Sequence, residues 1–296
     1  MADTRQTGWL ELFRDPPGSA IAASLCAFRL LLLVHGAVRL WDRYLVESGH
    51  ALHLAMACVL TLAACAAARP RFGRAAVWAG LWTVAIEIAV THGVANHVWA
   101  EGMLLGLFAL LDPEQEDEAV WLLCALRWMV ALLLLWAGLQ KLLYGTYFRA
   151  EFLCWMIAQR PAFATALGGF VAADELARLT SLDPTGLGAG PFRTDSVWLI
   201  LGSNAVWIAE LVLPAMLVPQ RLRAVGAVLA ALFVLSIQLV AREAMFGLLY
   251  SQLVLLNLPG NGYRRVAPVY ALAYAYMAAS LLGWVPNDWI VKRGGF

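Results

Sequence analysis

The stretch "AVWLLCALRWMVALLLLWAGLQKLLY", residues 119–144, is long and apolar enough to cross a bilayer, yet it carries Arg127 and Lys141. A membrane-spanning helix needs roughly 20 mostly apolar residues. Basic side chains are among the most costly to place in lipid. The reading of this stretch as a spanning helix decides the fold class, and its two cations raise the functional question.

The rest of the chain agrees with that reading. It has 296 residues, 62% hydrophobic and 14% charged, with net charge +1 and mean hydropathy +0.71. A soluble domain is nearer half apolar and a quarter charged. The near-neutral balance offers no basic field for nucleic acid. Further apolar runs lie near 20–41, 50–68, 75–95, 98–111, 196–218, 222–241, 243–258 and 266–284. The expectation is an all-α, polytopic transmembrane helical bundle of about 8–9 spans. Residues 1–19 form a short N-terminal segment, and 20–296 form one transmembrane domain. Charges at Asp3, Arg5, Glu11, Arg14 and Asp15 precede the first apolar run, which is unlike a cleaved secretory signal. That run is expected to stay as a spanning helix.

Loop charges set the expected orientation. "RPRFGR" (69–74), "PQRLR" (219–223) and "NGYRR" (261–265) are arginine-rich. A cytoplasmic N-terminus puts all three on the cytoplasmic side, as the positive-inside rule asks. "VKRGGF" at the C-terminus then falls outside, a mild exception. The longest connection, near 145–195, falls on the outer face. It opens with "FRAEFLCWMIAQRP" (148–161), which reads as a short interfacial helix. Cys26, Cys58, Cys65, Cys124 and Cys154 form no C-x-x-C pair. They read as small apolar residues, with neither disulfides nor a metal site expected.

Ionisable residues inside spans mark candidate sites, because they must face the bundle interior and find partners. Arg29, Arg127, Lys141 and Arg242 supply bases; Glu87, Glu101, Glu210 and Glu243 supply acids. Arg29 sits about ten residues from either end of its run, with Glu87 as one candidate partner. Arg127 and Lys141, nearly four turns apart, share a helix face about 21 Å apart. Gly138 leaves room for a neighbouring helix or a ligand beside the lysine. Lys141 is either a snorkelling anchor in the headgroups or a buried amine that can act as a base. Glu210 precedes Pro214 by one turn, and that proline cannot donate to the Glu210 carbonyl. His97 and Glu101 are i,i+4 neighbours at the outer end of the fourth run. His35, His50, His53 and His92 show no comparable constellation.

Four motifs together resemble a known family. "AFRLLLLV" (27–34), "ANHVWAEGMLLGLFALLD" (95–112), "WAGLQKLL" (136–143) and "ELVLPAMLV" (210–218) occur in the order seen in the HTTM family. That family is the membrane domain shared with vitamin K-dependent γ-glutamyl carboxylase. The resemblance covers roughly residues 20–260. It implies that Lys141 is the base deprotonating a vitamin K-like hydroquinone, that Glu210 is the family's membrane acid, that Arg29 is its first-span arginine, and that Asn96 and His97 serve the carboxylation half-reaction. The enzyme this suggests has His97 and Glu101 assisting Lys141, with a lipid-facing cleft beside Gly138 and Trp136 suited to the reduced quinone. Family members often carry a histidine in the following span, where Gln238 stands here. A full carboxylase continues into a large luminal β-rich region for its peptide substrate, so a partner subunit would have to supply that part.

Short bacterial relatives resemble proteins that mature exported toxic peptides. The expected function is therefore a membrane enzyme acting on a quinol, an exported peptide or both. The expected location is the cell membrane, the inner membrane in a bacterium, with lipid and a peptide or periplasmic subunit as partners. The alternative is a non-catalytic subunit for maturation of, or immunity to, an exported peptide. A transporter ranks below both, because no repeated pair of broken helices is found.

Overall fold

The computed structural model describes residues 19–46, 50–91, 96–183, 185 and 191–286. The described chain is helical. The twelve α-helices are α1 (Ser19–Val46), α2 (Ala51–Ala67), α3 (Gly73–Val90), α4 (Asn96–Leu110), α5 (Glu116–Tyr144), α6 (Glu151–Gln159), α7 (Pro161–Leu167), α8 (Ala173–Ser181), α9 (Val197–Leu217), α10 (Gln220–Ala241), α11 (Ala244–Leu255) and α12 (Gly262–Leu281). Every apolar run read from the sequence holds a helix. The N-terminal segment and its expected cytoplasmic location fall almost entirely outside the described residues, as does His92.

Among the described residues, five helical stretches are long and apolar enough to cross a membrane: Ala20–Leu45, Pro70–Val90, Glu116–Tyr144, Val197–Leu217 and Gln220–Ala241. Ala51–Ala67 and Ala244–Leu255 are apolar but shorter. At 1.5 Å per residue, a helix of α11's length reaches about 18 Å, well short of a hydrocarbon core of about 30 Å.

The helix ends follow local chemistry. Glu116, Asp117 and Glu118 crowd the first turn of α5 and Lys141 sits in its last, each matching the helix dipole. Pro161 opens α7 at a position where its missing N–H costs nothing. Ser196 caps α9, its hydroxyl accepting from Leu199 N at 3.2 Å. Two buried arginines serve C-terminal carbonyls: Arg223 donates to Leu217 O, and Arg127 to Leu256 O.

The chain packs as two compact units, Met1–Trp128 with Glu243–Phe296, and Met129–Arg242. In the first unit α1 packs against α2, α3, α4, α11 and α12. Its apolar window is 67% buried, against 28–44% for the other four candidate spans, so α1 is the core helix there. Alanines at 57, 63, 64 and 67 are four of the seven buried residues of α2, beside His53, Met56 and Leu60, and such small residues allow close helix approach.

In the second unit α9 packs on α10, and α6 packs on α7 and α8. The connection read as a loop with one short helix therefore carries three. They close over a small core that includes Cys154, Ile157, Phe163, Leu179 and Phe192.

Candidate functional site

In the second unit Lys141 and Glu210 meet. Nζ lies 2.8 Å from Glu210 Oε1 and 2.7 Å from Oε2. The lysine side chain is 19% exposed and the glutamate 8%. The amine therefore turns inward to a carboxylate on α9, not outward as a lone anchor. The Tyr147 ring lies beneath it, 5.2 Å from Nζ to the ring centre, close enough for a cation–π contact.

Residues of α9 hold that tyrosine. Ser203 Oγ donates to Tyr147 O at 2.8 Å, and Asn204 Nδ2 donates to Phe148 O at 3.1 Å. Trp207 Nε1 in turn donates to Asn204 Oδ1 at 3.0 Å. Ser203, Trp207 and Glu210 follow at i, i+4 and i+7, so one stripe of α9 carries the polar partners.

Gly138 makes the approach possible. A Cβ there would lie 2.8 Å from Leu211 Cδ2 and 3.1 Å from Glu210 Cβ. Of the two uses open to this glycine, the neighbouring helix takes it. Trp136, 58% exposed, lies on the surface of α5, as does Tyr144, one turn beyond Lys141. Glu210 is followed by Pro214 inside α9, and the helix continues to Leu217.

The first unit holds a separate buried charge cluster. Arg39 donates to Glu87 through Nη1 at 2.5 Å and Nη2 at 2.7 Å. Its Nε donates to Glu101 Oε2 at 2.9 Å. Arg43 Nη1 adds a third donor to Glu87 at 3.1 Å. Glu101 thus pairs with Arg39 across helices. The buried His97 ring meets Phe246 edge-on, with centroids 6.1 Å apart. Asn96 is the exposed first residue of α4.

Arg29 reaches Glu114 at 3.0 Å, with its guanidinium packed over Gly73. Its acid partner is therefore Glu114 and not Glu87.

Arg39 and His35 are the residues that sequence reasoning missed. Arg39 lies near the end of the expected span and reads as an interfacial residue, but α1 continues to Val46 and buries it. The available signal was the i,i+4 pair Arg39 and Arg43 in "VRLWDRYLV" (38–46), two cations on one face of an apolar helix. His35 Nδ1 lies 3.1 Å from Tyr274 OH, a contact between α1 and α12 that no local pattern announces.

Among the described residues, no group of three or more His, Cys, Asp or Glu side chains could hold a metal ion. No disulfide joins the five cysteines, all of which lie among the described residues. Compared with known proteins, the chain matches no family model, no curated protein and no solved structure.

Proposed function

We propose that the chain is a multi-pass integral membrane protein of the HTTM type, with eight to nine spans and a cytoplasmic N-terminus. In this reading the Lys141–Glu210 pair takes a proton from the hydroxyl of a reduced quinone. The observation that carries it is the paired amine and carboxylate, 2.7–2.8 Å apart and both largely buried. The four motifs that resemble those of HTTM proteins add support, and Lys141 is the residue they single out.

The donor set suits a phenolic hydroxyl. Such a group has a pKa near that of tyrosine, about 10. A carboxylate can accept its proton while an adjacent ammonium balances the charge left on the quinol oxygen. The proton is gained by the pair and lost by the quinol, so charge and atoms balance. The pair as a unit, not an isolated neutral amine, is the base. Because Leu211 fills the space beside Gly138, the quinol ring would approach from the lipid-exposed side of α5. Asn96 and His97, which the resemblance links to the carboxylation half-reaction, and Glu101 are not needed for this step.

The same pair also fits a purely structural role, holding α5 and α9 in register. That favours the alternative reading, a non-catalytic subunit serving an exported peptide. The two separate in one assay. Purified protein in lipid nanodiscs is given reduced vitamin K with dioxygen as oxidant, and quinol loss is followed optically. The enzyme reading expects turnover that falls by about 10²-fold or more in Lys141→Ala and Glu210→Gln, with folding retained. No turnover by the folded wild type, and no quinone in its lipid extract by mass spectrometry, would reject it.

A further inference from the structure

The connection between α5 and α9, in the second unit, holds a polar cleft of its own. Residues 191–195 lie against α8 and are tied to it by three hydrogen bonds. Arg178, in the last turn of α8, donates through Nη1 to Pro191 O at 2.9 Å and through Nη2 to Arg193 O at 2.5 Å. Glu175 Oε1 accepts from Asp195 N at 3.2 Å and lies 3.7 Å from Arg178 Nη2. Between the helix and the tied segment opens a cleft of about 550 Å³, lined by these residues and by Asp174. Pockets that hold small ligands are of this size, roughly 300–1,000 Å³. Asp195 stands two positions before the first residue of α9, and five ionisable side chains line the cleft. So many charges are too costly for lipid, and this part of the chain stands in water.

The five charged side chains divide by what they already do. Glu175 and Arg178 are committed to the tie. Arg193 lends the tie only its carbonyl, and Asp195 only its N–H. Among the described residues, no hydrogen bond or ion pair engages the side chain of Asp174, Asp195 or Arg193. All three are exposed, so a ligand reaches them without opening the fold.

Two carboxylates and one guanidinium in one cleft define the chemistry of what complements them. Cationic amines suit the acids. The planar fork of Arg193 suits a carboxylate, which it can grip through two parallel hydrogen bonds. An acidic patch alone would attract any cation, but the guanidinium beside it asks for an anion on the same molecule. The free acids outnumber the free base, so the ligand carries more positive than negative charge. We propose that the cleft beside α8 binds a short basic peptide, with ammonium groups at Asp174 and Asp195 and a free carboxylate at Arg193. The inference does not depend on the reading of Lys141 and survives its failure.

The test is a ligand-observed NMR titration of trilysine against the full chain in phosphatidylcholine nanodiscs, whose lipids carry no net charge. The expected result is saturable binding that weakens about tenfold in Asp174→Asn and in Asp195→Asn, the scale of one hydrogen bond to a charged group. Binding is unchanged in Asp183→Asn, which alters an exposed acid of the same connection outside the cleft. Trilysine with an amidated C-terminus binds the wild type about tenfold more weakly than the free acid. Arg193→Gln binds the two forms equally. These substitutions fall on exposed side chains and leave the tie between α8 and residues 191–195 in place, so folding is retained. Failure of trilysine to saturate the wild type overturns the proposal. An equal loss in Asp183→Asn also overturns it, as diffuse charge attraction, and so does equal affinity of the wild type for the acid and amide forms.

Discussion

Lys141 and Glu210 are 69 residues apart in the chain, yet the amine lies within 2.8 Å of both carboxylate oxygens. Each is the partner that the other requires in an apolar setting. Breaking a buried pair costs more than replacing it with matched apolar residues.

Lys141→Ala is expected to destabilise the protein by about 3 kcal/mol, because it leaves the Glu210 carboxylate buried without its cation. The double variant Lys141→Leu/Glu210→Leu is expected to recover most of that loss. Unfolding of the single and double variants in mixed detergent gives the cycle. A coupling energy near zero would show that the pair does not act as a unit.

Gly138→Val is expected to cost about 1–3 kcal/mol through overpacking against Leu211 and the Glu210 stem. Combining it with Leu211→Ala should restore part of the loss, since Leu211 Cδ2 is the nearest atom to the added carbon. The same unfolding measurement reports it. Additive effects of the two changes would contradict the close approach of α5 and α9.

Arg39 and Arg43 are one turn apart on α1 but carry unequal loads. Arg39→Leu removes three hydrogen bonds and leaves two buried acids short of donors. Arg43→Leu removes its bond to Glu87 while the Arg39 fork remains. The expected losses are about 3–5 kcal/mol for Arg39→Leu and about 1–2 kcal/mol for Arg43→Leu. Melting temperatures of the two variants in one detergent should rank them in that order, and equal shifts would refute the assignment.

Arg242 ends α10 in the left-handed region, φ 55°, which an L side chain enters at a cost of about 1–2 kcal/mol. Arg242→Gly relieves that strain and should raise the melting temperature. A fall would mean that the guanidinium contributes more than the backbone strain costs.

Much of the architecture was legible because hydropathy and length act locally. Each apolar run from 20–41 to 266–284 contains a helix. Lys141, Glu210 and Gly138 were also legible, since charge or missing bulk inside an apolar run needs an explanation wherever the chain folds. Partners were harder. Arg29 was matched by depth to Glu87, but the guanidinium reaches Glu114 beyond the end of α4. Arg39 escapes a sequence reading because the last two turns of α1 read as interface. The i,i+4 spacing of His97 and Glu101 is visible within α4, but it gives no sign of the Arg39 on α1 that donates to the carboxylate. Spacing reports who can meet on one helix, while charge competition across helices decides who does.

The placement of α1 at the heart of its unit has a consequence for biogenesis. The ribosome delivers Arg39 48 residues before Glu87 and 62 before Glu101. Released alone into lipid, an arginine at depth carries a penalty of about 2.5–3.5 kcal/mol on insertion scales. The insertion machinery would have to retain α1 until α3 and α4 emerge, so that the helices leave together with their charges already matched.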